Sequence, residues 1–131
     1  MASKHEQILL EVIKKWSVEK RGRLFKMMQG TFRALHSDKI IRVSPYPGKI
    51  NGFPDLTGFE FITYQKYENW QYKEVRVPVF CMIEVKTKKY SKLTQEQKDH
   101  LNYCVQIGGK AYVARENDSD EDYELREWKG E

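Results

Sequence analysis

The chain has 131 residues, of which 40% are hydrophobic and 13% aromatic, a composition typical of one globular domain and not of a disordered segment. The net charge is +4, but residues 116–131 hold eight acidic and two basic residues, which leaves 21 basic and 11 acidic residues in the rest of the chain. A body this basic suits a polyanionic partner such as nucleic acid, although an ordinary solvated surface explains the same charge equally well.

The sequence shows no sign of a membrane or secreted protein. No apolar run approaches the roughly 20 residues of a membrane span, and Met1–Gln7 leads into an amphipathic segment without a secretory signal pattern. Cys81 and Cys104 lie in apolar runs and form no C-x-x-C pair, which predicts reduced core thiols in an intracellular protein. The three histidines, His5, His36 and His100, lack metal-ligand spacing and are interpreted as structural or surface residues.

The first half of the chain predicts one helix, a short strand and a loop. Residues 4–20 form the helix, because Ile8, Leu9, Val12, Ile13 and Trp16 recur at helical spacing as one apolar stripe. A basic stretch follows the helix. Residues 40–43 read as a short strand, and residues 44–52, rich in proline, glycine and asparagine, read as a loop.

The second half predicts two strands, a helix and a further strand. The strands cover residues 55–64 and 75–87, and the second ends in residues that are apolar on both faces, as in a covered central strand. A capping-box pattern at Thr94–Gln97 opens a helix that runs to about residue 107, and a strand follows at 110–115. Residues 116–131 are either a frayed acidic end or a final strand around 123–128. This order, helix-strand-strand-strand-helix-strand, predicts a single α/β domain over residues 1–131, with a mixed central sheet flanked by helices.

Three charged residues lie where two of these strands meet. Glu84 and Lys86 stand two apart on one strand, so both side chains point to the same face, roughly 7 Å apart at their Cα atoms. Asp55 begins the preceding strand, and carboxylates from two neighbouring strands that meet at one point bind a hard cation such as Mg²⁺. The plainer interpretations are a solvated strand tip for Glu-x-Lys and a turn for Pro54-Asp55.

Taken together, the motifs of the chain resemble the VRR-NUC family of the PD-(D/E)XK nuclease superfamily, which includes Holliday-junction resolvases. The motifs are Gly52-Phe53-Pro54-Asp55-Leu56, Ile83-Glu84-Val85-Lys86-Thr87, Leu93-Thr94-Gln95-Glu96-Gln97 and Gly108-Gly109-Lys110-Ala111-Tyr112-Val113. Each motif is weak alone, but their order and spacing from Glu6 to Arg115 are specific. The resemblance implies a restriction-endonuclease-like core, and a homodimer in the cytoplasm of a bacterial or phage-infected host cell.

The resemblance also implies roles for individual residues. Asp55 and Glu84 would hold Mg²⁺ or Mn²⁺ with the backbone carbonyl of Val85, and Lys86 would orient the attacking water. Glu6 matches a first-helix metal ligand, and its alternative role is a solvated acid that favours the helix dipole. Gln97 matches a site glutamine, and its alternative role is the capping partner of Thr94.

Two groups of residues could contact nucleic acid outside this core. Lys88, Lys89 and Lys92 follow the catalytic strand and would hold flanking phosphates, or they form only a solvated loop. Asp55 and Glu84 are 29 positions apart, so residues 64–76 form an insert rich in tyrosine and tryptophan. It is interpreted as an extended hairpin that stacks on bases, contacts a second subunit or packs on itself.

The sequence therefore predicts a metal-dependent endonuclease that hydrolyses DNA phosphodiester bonds, with branched DNA such as a junction or flap as the expected substrate. The alternatives are a non-catalytic nucleic-acid-binding module on the same scaffold, and a ribonuclease or restriction-type nuclease.

Overall fold

A computed structural model describes residues 3–19, 22–27, 30–33, 40–43, 52–87, 91–117 and 123–130. Its elements, in chain order, are α1 (Lys4–Glu19), β1 (Arg23–Lys26), β2 (Gly30–Arg33), β3 (Ile40–Val43), β4 (Leu56–Glu68), β5 (Gln71–Lys86), α2 (Gln95–Gln106), β6 (Lys110–Arg115) and β7 (Glu124–Trp128). Neither helix of the described residues is both long and apolar enough to cross a membrane.

The main sheet has five strands in the order β1-β4-β5-β6-β7. β5 and β6 are parallel, whereas the other neighbours are antiparallel, so the sheet is mixed as the sequence predicted. β2 and β3 form a separate antiparallel pair. The α/β architecture with a mixed sheet and two helices is confirmed, and it is consistent with a restriction-endonuclease-like core.

The two helices cover opposite faces of the sheet at the end of β5. The apolar stripe of α1 packs against Ile83 and Val85, which alternate on one face of the strand. Met82 points the other way and packs against Leu101 and Cys104 of α2. Because both faces are covered, residues 81–85 are all buried. The charged residue of this segment, Glu84, is therefore desolvated.

Several elements differ from the sequence prediction. The basic stretch after α1 contains β1, which was not predicted, and neither was β2. The short strand predicted at residues 40–43 is present as β3. The residues 124–128 form a strand, so the frayed-end interpretation is wrong for them. The predicted loop over residues 44–52 lies outside the described residues except for Gly52.

The long insert is an extended hairpin. β4 pairs with β5 along all of its 13 residues, and the two strands are joined by Asn69 and Trp70. β1 pairs with β4 only up to Phe59, and β6 pairs with β5 only from Cys81 onward. We call residues 62–77 the arm, because they extend beyond these neighbouring strands as a two-stranded ribbon.

Candidate functional site

Strand register brings Asp55 and Glu84 together. In the β4–β5 ladder Leu56 is paired with Ile83, so one further step of the same register sets Asp55 opposite Glu84. Side chains directly opposite in an antiparallel pair have Cβ atoms about 4.5–5.5 Å apart. The two carboxylates therefore converge at the edge where β4 begins and β5 ends.

Glu84 is buried in a setting that disfavours its charge. Its residue exposure is 5%, and Gln97 Nε2 donates a hydrogen bond to Oε1 over 3.3 Å. Burial, and then the neighbouring Asp55 carboxylate, raise the pKa of Glu84 to about 9, while Lys86 opposes this rise. Its Oε2 is buried and has no hydrogen-bond partner among the described residues. A buried acceptor without a partner is costly in free energy, so Oε2 is an atom that a bound ligand would stabilise.

Glu60 shows how the same fold satisfies an acid that serves structure. It is as buried as Glu84, but it accepts a hydrogen bond from the Tyr112 hydroxyl and lies 3.9 Å from Lys110 Nζ. The contrast separates the two buried acids among the described residues, because only Glu84 presents an unpaired buried oxygen.

Asp55 is held in place by the neighbouring strand. Its Oδ2 accepts a hydrogen bond from the Val85 amide over 2.9 Å and lies 3.4 Å from His5 Nε2. The side chain keeps 24% of its exposure, so the carboxylate pair is open to ligands from the Asp55 side.

The Val85 carbonyl is directed at the same edge. The amide and carbonyl of one strand residue point to the same side, and the Val85 amide donates to Asp55. Continued by two steps, the ladder register sets Pro54 opposite Val85. Proline has no amide hydrogen and cannot donate to that carbonyl. Asp55 therefore supplies a carboxylate, and Pro54 leaves the neighbouring Val85 carbonyl oxygen without a hydrogen bond from its own position.

Gln97 is the capping partner of Thr94 and also contacts Glu84, while its role as a site glutamine stays a prediction. Its side-chain Oε1 accepts a hydrogen bond from the Thr94 backbone N–H over 2.9 Å. The Gln97 backbone N–H donates to Thr94 Oγ1, which completes the capping box. Its Nε2 contacts Glu84 at the same time. The start of α2 and the buried carboxylate are thus joined through one side chain.

Gly52 holds the segment before Asp55 against the start of α2. Its φ is +77°, and a Cβ built there would lie 2.6 Å from Glu96 Cβ and 2.8 Å from the Gln97 backbone nitrogen. Only glycine permits this approach. Phe53, the next residue, is buried and meets the His100 ring edge-on at 5.3 Å. These contacts fix where Asp55 enters the sheet.

For the remaining predicted residues, the structure shows no contact with Asp55 or Glu84 among the hydrogen bonds and ion pairs described. Both Glu6 carboxylate oxygens lie 3.2 Å from Lys26 Nζ, so its role as a metal ligand stays a prediction. Lys92 is exposed, and Lys88 and Lys89 lie outside the described residues. Among the described residues, no three side chains of His, Cys, Asp or Glu form a group that could hold a metal ion. Any ion at this edge would therefore depend on the Asp55–Glu84 pair, the backbone and water.

His5 was interpreted as a structural or surface residue, and the structure sets its Nε2 3.4 Å from Asp55 Oδ2. His5 precedes Leu9, Val12 and Trp16 by four, seven and eleven residues, which places it on the buried stripe of α1.

A comparison with models of protein families identifies the family of this chain. The model described as the VRR-NUC domain matches residues 3–117, from α1 through β6. This chain belongs to the VRR-NUC family. VRR-NUC is a nuclease domain, so the Asp55–Glu84 edge lies in a chain whose general role is that of a nuclease. Neither the curated proteins nor the solved structures gave a significant match.

A glycine pair tests whether the Gly52 contact positions the site. We expect Gly52→Ala to lower the free energy of unfolding by about 1–3 kcal/mol more than Gly108→Ala does. Both glycines have positive φ, but a Cβ at Gly108 meets nothing within 4 Å, so the second variant measures backbone strain alone. Urea unfolding measures both values, and equal losses would show that the approach to α2 does not constrain the loop.

The raised pKa of Glu84 predicts a pH-dependent stability. Between pH 4.5 and about 9 the folded protein keeps a proton on Glu84 that the unfolded chain releases. In the presence of chelator, the free energy of unfolding should therefore fall by up to about 1.4 kcal/mol for each unit by which the pH rises across this window. Glu84→Gln, which cannot ionise, should show a flatter profile by urea unfolding at several pH values. Parallel profiles for the two proteins would contradict the assignment.

Proposed function

We propose that this VRR-NUC domain is a Mg²⁺- or Mn²⁺-dependent endonuclease that hydrolyses DNA phosphodiester bonds in branched substrates such as junctions or flaps. The observation that carries the proposal is the unpartnered buried oxygen of Glu84 facing the Asp55 carboxylate. The other buried acid among the described residues, Glu60, accepts a hydrogen bond from the Tyr112 hydroxyl instead.

The donor set fits a hard divalent cation. Asp55, Glu84 and the Val85 carbonyl offer only oxygen atoms, which Mg²⁺ and Mn²⁺ prefer, and the open Asp55 side leaves room for the waters that Mg²⁺ retains. When bound, the ion would offset negative charge on the phosphate and lower the pKa of a water. Its positive charge would also lower the pKa of Glu84 and make the ionised form the stable one.

The surrounding residues keep the two carboxylates in position. The Val85 amide and His5 orient Asp55, while Gln97 holds Oε1 of Glu84 and leaves Oε2 free for a ligand. Because these contacts come from different elements, the carboxylates need little rearrangement when a substrate binds.

Lys86 supplies a positively charged side chain to the mechanism. It is two residues beyond Glu84 on the same face of β5, partly exposed, and close enough to stabilise the Glu84 charge. There it aligns the attacking water and donates to a phosphate oxygen. Water adds to phosphorus, the bond to the 3′ oxygen breaks, and the products carry a 5′-phosphate and a 3′-hydroxyl. Lys92 and the neighbouring Lys88 and Lys89 would contact phosphates beside the scissile bond.

A homodimer is part of the same proposal. A two-fold dimer sets two active sites across a branched junction. Support comes from an apolar groove of about 780 Å³ on β1, β4 and β5, lined by residues that include Phe25, Phe59 and Phe80. Phe25 and Phe80 are exposed there, as an apolar subunit contact requires.

A cleavage panel tests the activity. Labelled junction, flap, single-stranded, duplex and RNA substrates are incubated with Mg²⁺, Mn²⁺ or chelator. We expect metal-dependent cutting of branched DNA, and a loss of at least about 100-fold in rate for Glu84→Gln and for Lys86→Met. Glu127→Gln and Lys129→Met make the same changes on exposed positions around β7 and should cut like the parent.

The outcomes of this panel separate the alternatives. Equal cleavage by Glu84→Gln and the parent would refute the catalytic assignment. Metal-independent binding without cutting would indicate a nucleic-acid-binding module, and cutting confined to RNA would indicate a ribonuclease.

A further inference from the structure

The arm carries a set of aromatic side chains that the fold itself does not use. Among the described strands no third strand pairs with residues 62–77, and residues 62–74 are all exposed. Large aromatics recur along it, at Tyr64, Tyr67, Trp70 and Tyr72. A two-stranded ribbon in water is only marginally stable, so exposed aromatics on it point to a partner.

The tip of the arm holds its largest side chain in an unfavourable backbone conformation. Asn69 and Trp70 have φ values of 52° and 64°, the pattern of a type I′ turn. Asn-Gly is the preferred sequence for this turn, because a bulky residue at positive φ is strained. Trp70 is nevertheless there and is 89% exposed, so the turn gives up backbone stability to present an indole ring to solvent.

The residues below the tip combine aromatic rings with positive charge. Tyr67 is paired with Tyr72 across the ladder, and their ring centroids lie 5.0 Å apart. The next pair is Lys66 with Lys73, two lysines directly opposite each other on the other face of the ribbon, where Lys66 Nζ lies 3.7 Å from Glu68 Oε2. An exposed ion pair of this kind contributes little, so both lysines are available to phosphates. Aromatic rings and lysines on one ribbon are the combination with which proteins hold single-stranded nucleic acid.

The arm extends far from the carboxylate pair. Twelve residue-to-residue steps separate Tyr67 from Asp55 and Tyr72 from Glu84, a span of at most about 40 Å at ~3.3 Å per step. One turn of duplex DNA is about 34–36 Å long. The tip can therefore reach a nucleic acid about one helical turn from a bond cut at the Asp55–Glu84 edge.

We propose that the arm is a nucleic-acid-binding element that stacks Trp70, Tyr67 and Tyr72 on unpaired bases, with Lys66 and Lys73 on the adjoining phosphates. The distance from the cut rests on the proposed function, whereas the binding itself does not. The inference specifies the substrate further, because a single-stranded segment must lie within about one turn of the scissile bond. A second copy of the chain is the competing occupant of the arm, and the oligomeric state of a tip variant distinguishes the two.

Substitution at the tip separates binding from folding. Trp70→Gly creates the preferred Asn-Gly turn, so the variant should unfold at the same or a higher urea concentration than the parent. In chelator, its affinity for a labelled 30-nucleotide single strand should fall about tenfold or more, measured by fluorescence anisotropy. Trp70→Tyr should retain most of the affinity, and Tyr103→Ala, which removes an exposed aromatic from α2, should bind like the parent.

Two results would overturn the proposal. One is an unchanged affinity of Trp70→Gly for the single strand. The other is a change of that variant from dimer to monomer by light scattering, which would assign the arm to subunit contact. Failure of the proposed function looks different, because a parent protein that cuts nothing but still binds in a Trp70-dependent way would leave the role of the arm intact.

Discussion

Two carboxylates that face each other across the end of a strand pair form the constraint on which the site depends. Asp55 and Glu84 meet because of the β4–β5 register, and Glu84 does so in a segment that both helices remove from water. Neighbouring acids in a desolvated place oppose each other's ionisation, which is why the pKa of Glu84 rises to about 9. Without a cation the arrangement is a cost to folding, which a cation bound between the two carboxylates, as proposed, would offset.

The elements around the pair act as one support. The loop that delivers Asp55 is held against α2 by the close approach of Gly52, and α2 begins at a cap whose glutamine also contacts Glu84. Asp55 in turn is tied to the Val85 amide of β5. A change in the loop, the cap or the strand therefore reaches the carboxylates through short, bonded connections. The site is positioned by secondary structure and not by flexible side chains alone.

Much of this could be predicted from the sequence, for reasons that differ by residue. Strand alternation places Glu84 and Lys86 on one face without further information, whereas the position of Asp55 depended on the resemblance to the VRR-NUC family. For Gln97 the local pattern allowed two roles, and the structure shows the capping contact and a contact with Glu84 made by one side chain. The contact of His5 with Asp55 could not be predicted, because helical spacing places His5 on the stripe with Leu9 but does not say which residue of another element it meets.

The arm shows where sequence periodicity stops being informative. Residues 62–74 are exposed on both faces, so there is no inside and outside to impose a period of two, and the predicted strands ended too early. β1 was invisible for a related reason, since only Leu24 is buried in its four residues. Pairing with β4, a long-range contact, makes it a strand. Features that depend on partners distant in sequence, or on solvent, are those that a local pattern does not record.

The central claim is that the Asp55–Glu84 pair is built to hold a divalent cation. Calorimetric titration of the parent and of Glu84→Gln with Mn²⁺, in the absence of nucleic acid, tests it most directly. The account predicts a single class of site in the parent that is lost or strongly weakened in Glu84→Gln and kept in the exposed control Glu127→Gln. Equal Mn²⁺ binding by the parent and Glu84→Gln, with both proteins folded, would contradict it.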